Sequence, residues 1–117
     1  MKLNKKKVSF LISGKGSNLF KILVNNFKSK NFYTVSIISN NKISDEIKNF
    51  IKDKNLKIYI FEKITNLKSI FIKDSDLVFS VGYMKVINKE LSNKHNIINL
   101  HPSLLPKYKG LDRKSVV

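Results

Sequence analysis

Asn99 and His101 stand two residues apart within Ile97-Ile98-Asn99-Leu100-His101-Pro102-Ser103-Leu104-Leu105-Pro106-Lys107-Tyr108. A carboxamide N–H donor and an imidazole at that spacing suit stabilising a developing oxyanion and moving a proton. Ile97 and Ile98 read as the end of a buried strand, and Pro102 and Pro106 stiffen the loop after it. A lone histidine is more often structural than catalytic. His101 is set apart by the strand before it, by Asn99 and by Pro102. His95, between Lys94 and Asn96 on a polar stretch, reads as a structural or solvated group.

A second chemistry-bearing stretch is Gly14-Lys15-Gly16-Ser17-Asn18. Glycines ahead of a helix let backbone N–H groups approach an anion, and Ser17 adds a hydroxyl. This is not a Walker A loop. Gly14 precedes Lys15, but Ser9 stands six before the lysine, and Gly16 occupies the position after it, where Ser or Thr is needed. Nor is it a dinucleotide fingerprint, because Leu19 holds the third glycine's place and Ser39-Asn40-Asn41 offers no ribose-binding acid. Two readings stay open: a plain strand-to-helix turn, or a site for a small phosphomonoester at Gly16, Ser17 and Asn18. The third stretch, Gly82-Tyr83-Met84-Lys85-Val86-Ile87, mixes a glycine, an aromatic and apolar residues outside a strand. It either caps the core or lines a pocket for a flat ligand.

Periodicity places strands and helices around these stretches. Lys7 to Ser13 reads as strand one. Leu19, Phe20, Leu23, Val24 and Phe27 recur at helical spacing, with Ser17 or Asn18 as N-cap. Tyr33 to Ser39 is strand two. Ser44 caps a helix with Asp45 and Glu46 in its first turn and Ile47, Phe50 and Ile51 on its apolar face. Lys57 to Phe61 is strand three, Asn66 to Ile72 a short helical segment, and Leu77 to Val81 strand four, apolar enough to be buried on both faces. Asn88 to Lys94 is a short helix and Ile97 to Leu100 strand five. Alternating strands and helices imply an α/β, Rossmann-like open sheet, mainly parallel, with right-handed crossovers. In the order 3-2-1-4-5, ligands bind beyond the carboxyl ends of strands one and four. All three chemical stretches fall there.

The totals set bounds. At 117 residues the chain is one domain, 42% hydrophobic and without cysteine, so it has neither disulfides nor thiolate metal sites. Two histidines do not make a zinc cluster, and no metal is expected. No apolar run approaches the ~20 residues of a membrane span, and the Lys-rich start leads into too short an apolar stretch for a signal peptide. A cytoplasmic protein without membrane partners is expected. The net charge of +15 comes from 22 lysines and one arginine, beside 14 asparagines and no alanine. That profile fits A/T-rich coding, and the lysines are dispersed. A nucleic-acid partner is therefore disfavoured, although a positive field still attracts phosphorylated small molecules.

The sequence resembles the folate-dependent formyltransferases. Three motifs carry the resemblance: Ile12-Ser13-Gly14-Lys15-Gly16-Ser17-Asn18-Leu19, then Gly82 to Ile87, then Asn99-Leu100-His101-Pro102-Ser103-Leu104-Leu105-Pro106 through Leu111. They occur in the family's order. The resemblance implies a Rossmann-like N-terminal domain over residues 1–111, with 112–117 as a non-matching tail at a truncation junction. It implies 10-formyltetrahydrofolate as formyl donor, with Met84, Lys85, Val86, Ile87 and Asn99 contacting the folate. Gly16, Ser17 and Asn18 would hold the acceptor's phosphate, Asn99 the formyl oxygen, and His101 would donate the proton. The Gly-x-Gly-Ser-Asn loop resembles the branch that formylates glycinamide ribonucleotide in purine synthesis. Formylation of methionyl-tRNA or an aminosugar nucleotide, and a shortened chain that only binds a phosphorylated ligand, are the alternatives. Lys85 replaces the family's usual arginine, keeping charge but losing the planar fork of donors. The family's aspartate that tunes the histidine would lie beyond Val117. Leu105–Pro106 is a candidate cis peptide.

Overall fold

A computed structural model describes residues 5–83 and 87–100. The chain alternates strand and helix from its first apolar run. Strand β1 (Lys6–Ile12) leads to helix α1 (Ser17–Ser29), β2 (Phe32–Ser39), α2 (Asp45–Asp53), β3 (Tyr59–Phe61), a 3-10 turn (Ser69–Phe71), β4 (Leu77–Val81), α3 (Lys89–Lys94) and β5 (Ile97–Leu100). The five strands form one sheet in the order β3-β2-β1-β4-β5, and every pairing is parallel. β1 is central, which is why Val8 to Ile12 is buried without a break.

One face of the sheet packs under α1 and α2. Val8, Phe10, Ile12 and Ile37 meet Leu19, Leu23, Ile43, Ile47 and Ile51 in a single buried cluster. Phe10 is its hub, with the rings of Phe32 and Phe79 centred 6.0 and 5.8 Å away. The two helices are joined by edge-on contacts of Phe50 with Phe20 and Phe27. The expected capping of α2 is present: the Ser44 hydroxyl accepts from the Ile47 N–H at 3.3 Å, and Asp45 and Glu46 occupy the first turn.

The other face is covered by the connection from β3 to β4. Leu11, Ile38 and Val78 pack there with Ile72, Phe61, Phe71, Tyr83, Ile87 and Ile97. The apolar pattern predicts a helix over Asn66 to Ile72, but the helical part is only Ser69–Phe71. Its bonds run to the third residue back, Phe71 N–H to Lys68 O and Ile72 N–H to Ser69 O. Side chains bond two carbonyls at the segment's end: Ser36 donates to Phe71 O and Ser75 to Ile72 O. Ile72 is buried while Ile70 is 60% exposed, so tertiary packing fixed this segment.

A second difference lies at the start of α1. Neither Ser17 nor Asn18 is the N-cap. Gly16 takes that place at φ 94°, with no side chain capping the first turn. Both polar residues sit inside the helix's first turn instead.

Candidate functional site at the carboxyl edge of the sheet

The strand register decides what can meet. Ile12 pairs with Val81 and Val81 with Leu100, so β1, β4 and β5 end level with one another. The chain leaves all three strands at one edge, and the turn in topology falls between β1 and β4. A cleft of about 190 Å³ opens there. It is lined by the loop from Gly14 to Leu19 together with Ile12, Val81 and Gly82. Gly16, Ser17 and Asn18 are thus gathered in one place, against the first turn of a helix whose leading N–H groups no side chain caps.

The two loop glycines do different jobs. A Cβ on Gly16 would lie 2.8 Å from Ile47 Cδ1 and 2.9 Å from Ile12 Cδ1. Its positive φ adds to that requirement. Gly16 is therefore glycine for the protein's own packing, rather than to admit a ligand. A Cβ on Gly14 would meet nothing within 4 Å.

The connection from β2 to α2 holds this loop from behind. Asn41 Nδ2 donates to Ser13 O at 3.0 Å, and the Ser44 N–H donates to Lys15 O at 3.1 Å. That connection is itself anchored. Glu62 accepts from the Ile43 N–H at 2.8 Å and pairs with Lys48 at 2.9 Å. Hydrogen bonding from Lys48, then from the Ile43 N–H, holds the Glu62 carboxyl below its ordinary value of 4.5. Read from the sequence, Asn41 is only a strand stop and Lys15 has no part at all. A charged residue inside a glycine loop was the available signal for the latter.

Asn99 lies on β5 in register with Ser80 of β4, and its side chain is exposed. Tyr83 and Ile87, flanking the strand-four loop, are half-buried on the Leu11 cluster. Burial raises the Tyr83 phenol above its ordinary value. Met84, Lys85, Val86, His101 and the Leu105–Pro106 bond lie outside the described residues. His95 faces Ser69, Nε2 to Oγ 3.4 Å, in keeping with a structural part. A larger cleft of about 390 Å³ opens at the opposite, amino-terminal edge, and contains none of the expected site residues. Among the described residues no group of three or more His, Cys, Asp or Glu could hold a metal ion. No described helix is long and apolar enough to cross a membrane.

A parallel open sheet with a glycine loop at its switch point and a carboxamide on the neighbouring strand defines an α/β ligand-binding domain. The formyl transferase family model matches residues 6–116, and the chain belongs to that family. It is 28% identical over 124 residues to phosphoribosylglycinamide formyltransferase of Haemophilus influenzae, covering 92% of this chain and 56% of the relative. It is 41% identical over 69 residues to methionyl-tRNA formyltransferase of Fusobacterium nucleatum, covering 55% of this chain and 22% of the relative. In fold it is similar to the phosphoribosylglycinamide formyltransferase structure from Coxiella burnetii, with a TM-score of 0.65 and 24% identity, covering 90% of this chain and 55% of that one. The chain thus spans about half the length of these two phosphoribosylglycinamide formyltransferases and under a quarter of the methionyl-tRNA formyltransferase.

Proposed function

We propose that the protein transfers a formyl group from 10-formyltetrahydrofolate to the amine of glycinamide ribonucleotide. Residues 1–111 supply the acceptor's phosphate site and part of the formyl site. The observation that carries this is the level ending of β1, β4 and β5 at Ile12, Val81 and Leu100, which brings the glycine loop and the end of the Asn99-bearing strand to one edge. Similarity over 92% of this chain to phosphoribosylglycinamide formyltransferase of Haemophilus influenzae supports the choice of acceptor.

In this reading Gly16, Ser17 and Asn18 hold the phosphate and thereby place the acceptor amine. The amine nitrogen attacks the formyl carbon, and the carbonyl π pair moves to oxygen. The Asn99 carboxamide and protonated His101 stabilise that oxyanion. The intermediate then collapses, breaking the bond to the folate nitrogen. That nitrogen gains a proton as the attacking nitrogen loses one, and tetrahydrofolate departs. Met84, Lys85, Val86 and Ile87 line the folate side.

A second reading, formylation of methionyl-tRNA, is favoured by the 41% identity over the shorter matched stretch. Formyl transfer by the full-length protein, assayed in parallel on glycinamide ribonucleotide and on charged initiator tRNA, separates the two. Product from the ribonucleotide alone supports the proposal. Product from tRNA alone, or from neither, overturns it.

A further inference from the structure

Among the described residues, Lys15 is the one charged group lining the cleft at the carboxyl edge. Its side chain is exposed, and among the described residues it has no ion-pair partner. The backbone around it is pinned on both sides. Ser13 O is held by Asn41, Lys15 O by the Ser44 N–H, and Gly16 O by the Phe20 N–H at 2.8 Å. These bonds draw the loop's carbonyls toward the β2–α2 connection and α1, leaving the lysine on the cleft. The rest of the described lining is neutral: glycines, a hydroxyl, a carboxamide and apolar groups. The uncapped N–H groups at the start of α1 set a balance between hydroxyl and anion that already leans toward the anion. An ammonium group shifts that balance toward negative charge, most of all toward a doubly charged one. The cleft's size, about 190 Å³, fits a terminal phosphate rather than a stretch of polynucleotide.

We propose that Lys15 is a specificity-determining residue that selects acceptors carrying a terminal phosphomonoester dianion over dephosphorylated acceptors and over phosphodiester-bearing ones. This rests on the phosphorylated-acceptor reading above and adds a residue to it. The expected effect is a rise of about tenfold in KM for the ribonucleotide in Lys15→Met, the size of one to two unit-charge interactions at ~4 Å in water. The same substitution should move KM for the corresponding riboside, which lacks the phosphate, by less than about twofold. Lys15→Arg, which keeps the charge, should stay near wild type. Because the side chain is exposed, the wild-type KM should rise with salt more steeply than that of Lys15→Met, which keeps only the attraction of the chain's overall positive charge.

The test is steady-state kinetics of the full-length protein with ribonucleotide and riboside, at low and high salt, with thermal unfolding of each variant alongside. Wild type that formylates neither acceptor refutes the function proposed above. Wild type that formylates the ribonucleotide, with Lys15→Met unchanged in KM or equally impaired on the riboside, refutes the part given to Lys15 and leaves the function standing. A ribonucleotide-specific, salt-dependent KM effect restored by arginine supports it.

Discussion

Replacing Gly16 by alanine should cost about 2–5 kcal/mol of stability, the sum of two effects. A non-glycine residue held in the left-handed region, here at φ 94°, is disfavoured by roughly 1–2 kcal/mol. The new methyl would also sit 2.8 Å from Ile47 Cδ1 and 2.9 Å from Ile12 Cδ1. Both isoleucines are buried, Ile47 fully and Ile12 at 1% exposure. The clashing atoms are chain ends, so each can swing aside at about 0.5–1.5 kcal/mol for leaving its preferred rotamer. Urea unfolding of the full-length protein is the assay. With a mid-range slope of ~2 kcal/mol/M, the midpoint should fall by about 1–2.5 M at unchanged slope. Gly14→Ala is the internal control. Its Cβ meets nothing within 4 Å, so its stability should stay within about 0.5 kcal/mol of wild type. A Gly16→Ala protein as stable as wild type, or a Gly14→Ala protein equally destabilised, would refute the reasoning.

Three further outcomes are expected. Asn99→Ala and His101→Ala should each lower turnover by about 10²–10³, the usual effect of losing an oxyanion donor. The exposed Asn99 should leave unfolding unaltered, and near-normal turnover in either variant would contradict the proposed roles. Ser44→Ala should cost about 0.5–1 kcal/mol, the lower part of the range for N-caps because the bond to the Ile47 N–H is long at 3.3 Å, whereas Ser44→Asp should cost nothing measurable by the same unfolding assay. The Glu62 carboxyl is held below 4.5 when folded, so its contribution is present above that value and fades as pH falls through the lowered one. The gap in melting temperature between wild type and Glu62→Gln should therefore be open at neutral pH and close below pH 4.5; a gap independent of pH would contradict the ion-paired geometry.

Strand identity and order are legible because each strand is a compact apolar run bounded by polar or glycine residues. Leu77 to Val81 and Ile97 to Leu100 fall where periodicity puts them. The segment from Asn66 to Ile72 departs from its pattern for a definable reason. Ile70, Phe71 and Ile72 are equally apolar, and nothing local says that Ile72 will be buried against the sheet while Ile70 stays 60% exposed. The cap of α1 departs for the opposite reason. Ser17 and Asn18 are good capping residues by type, but the cap falls one residue before the first and two before the second, at Gly16, where Ile12 and Ile47 leave no room for a Cβ.

The alternation of strands and helices, the parallel sheet it implies, and the three stretches able to bear chemistry were all written in the order of the residues. Those features depend on neighbours a few residues apart, whose spacing and types can be read directly along the chain. Folding in three dimensions was needed to make β1, β4 and β5 end level, to set Asn41 and Ser44 as braces on the glycine loop, and to turn Gly16 to the core while Lys15 faces the cleft. Asn41 and Ser13 are 28 positions apart. A contact across that distance depends on strand register and core packing, and no local pattern encodes it.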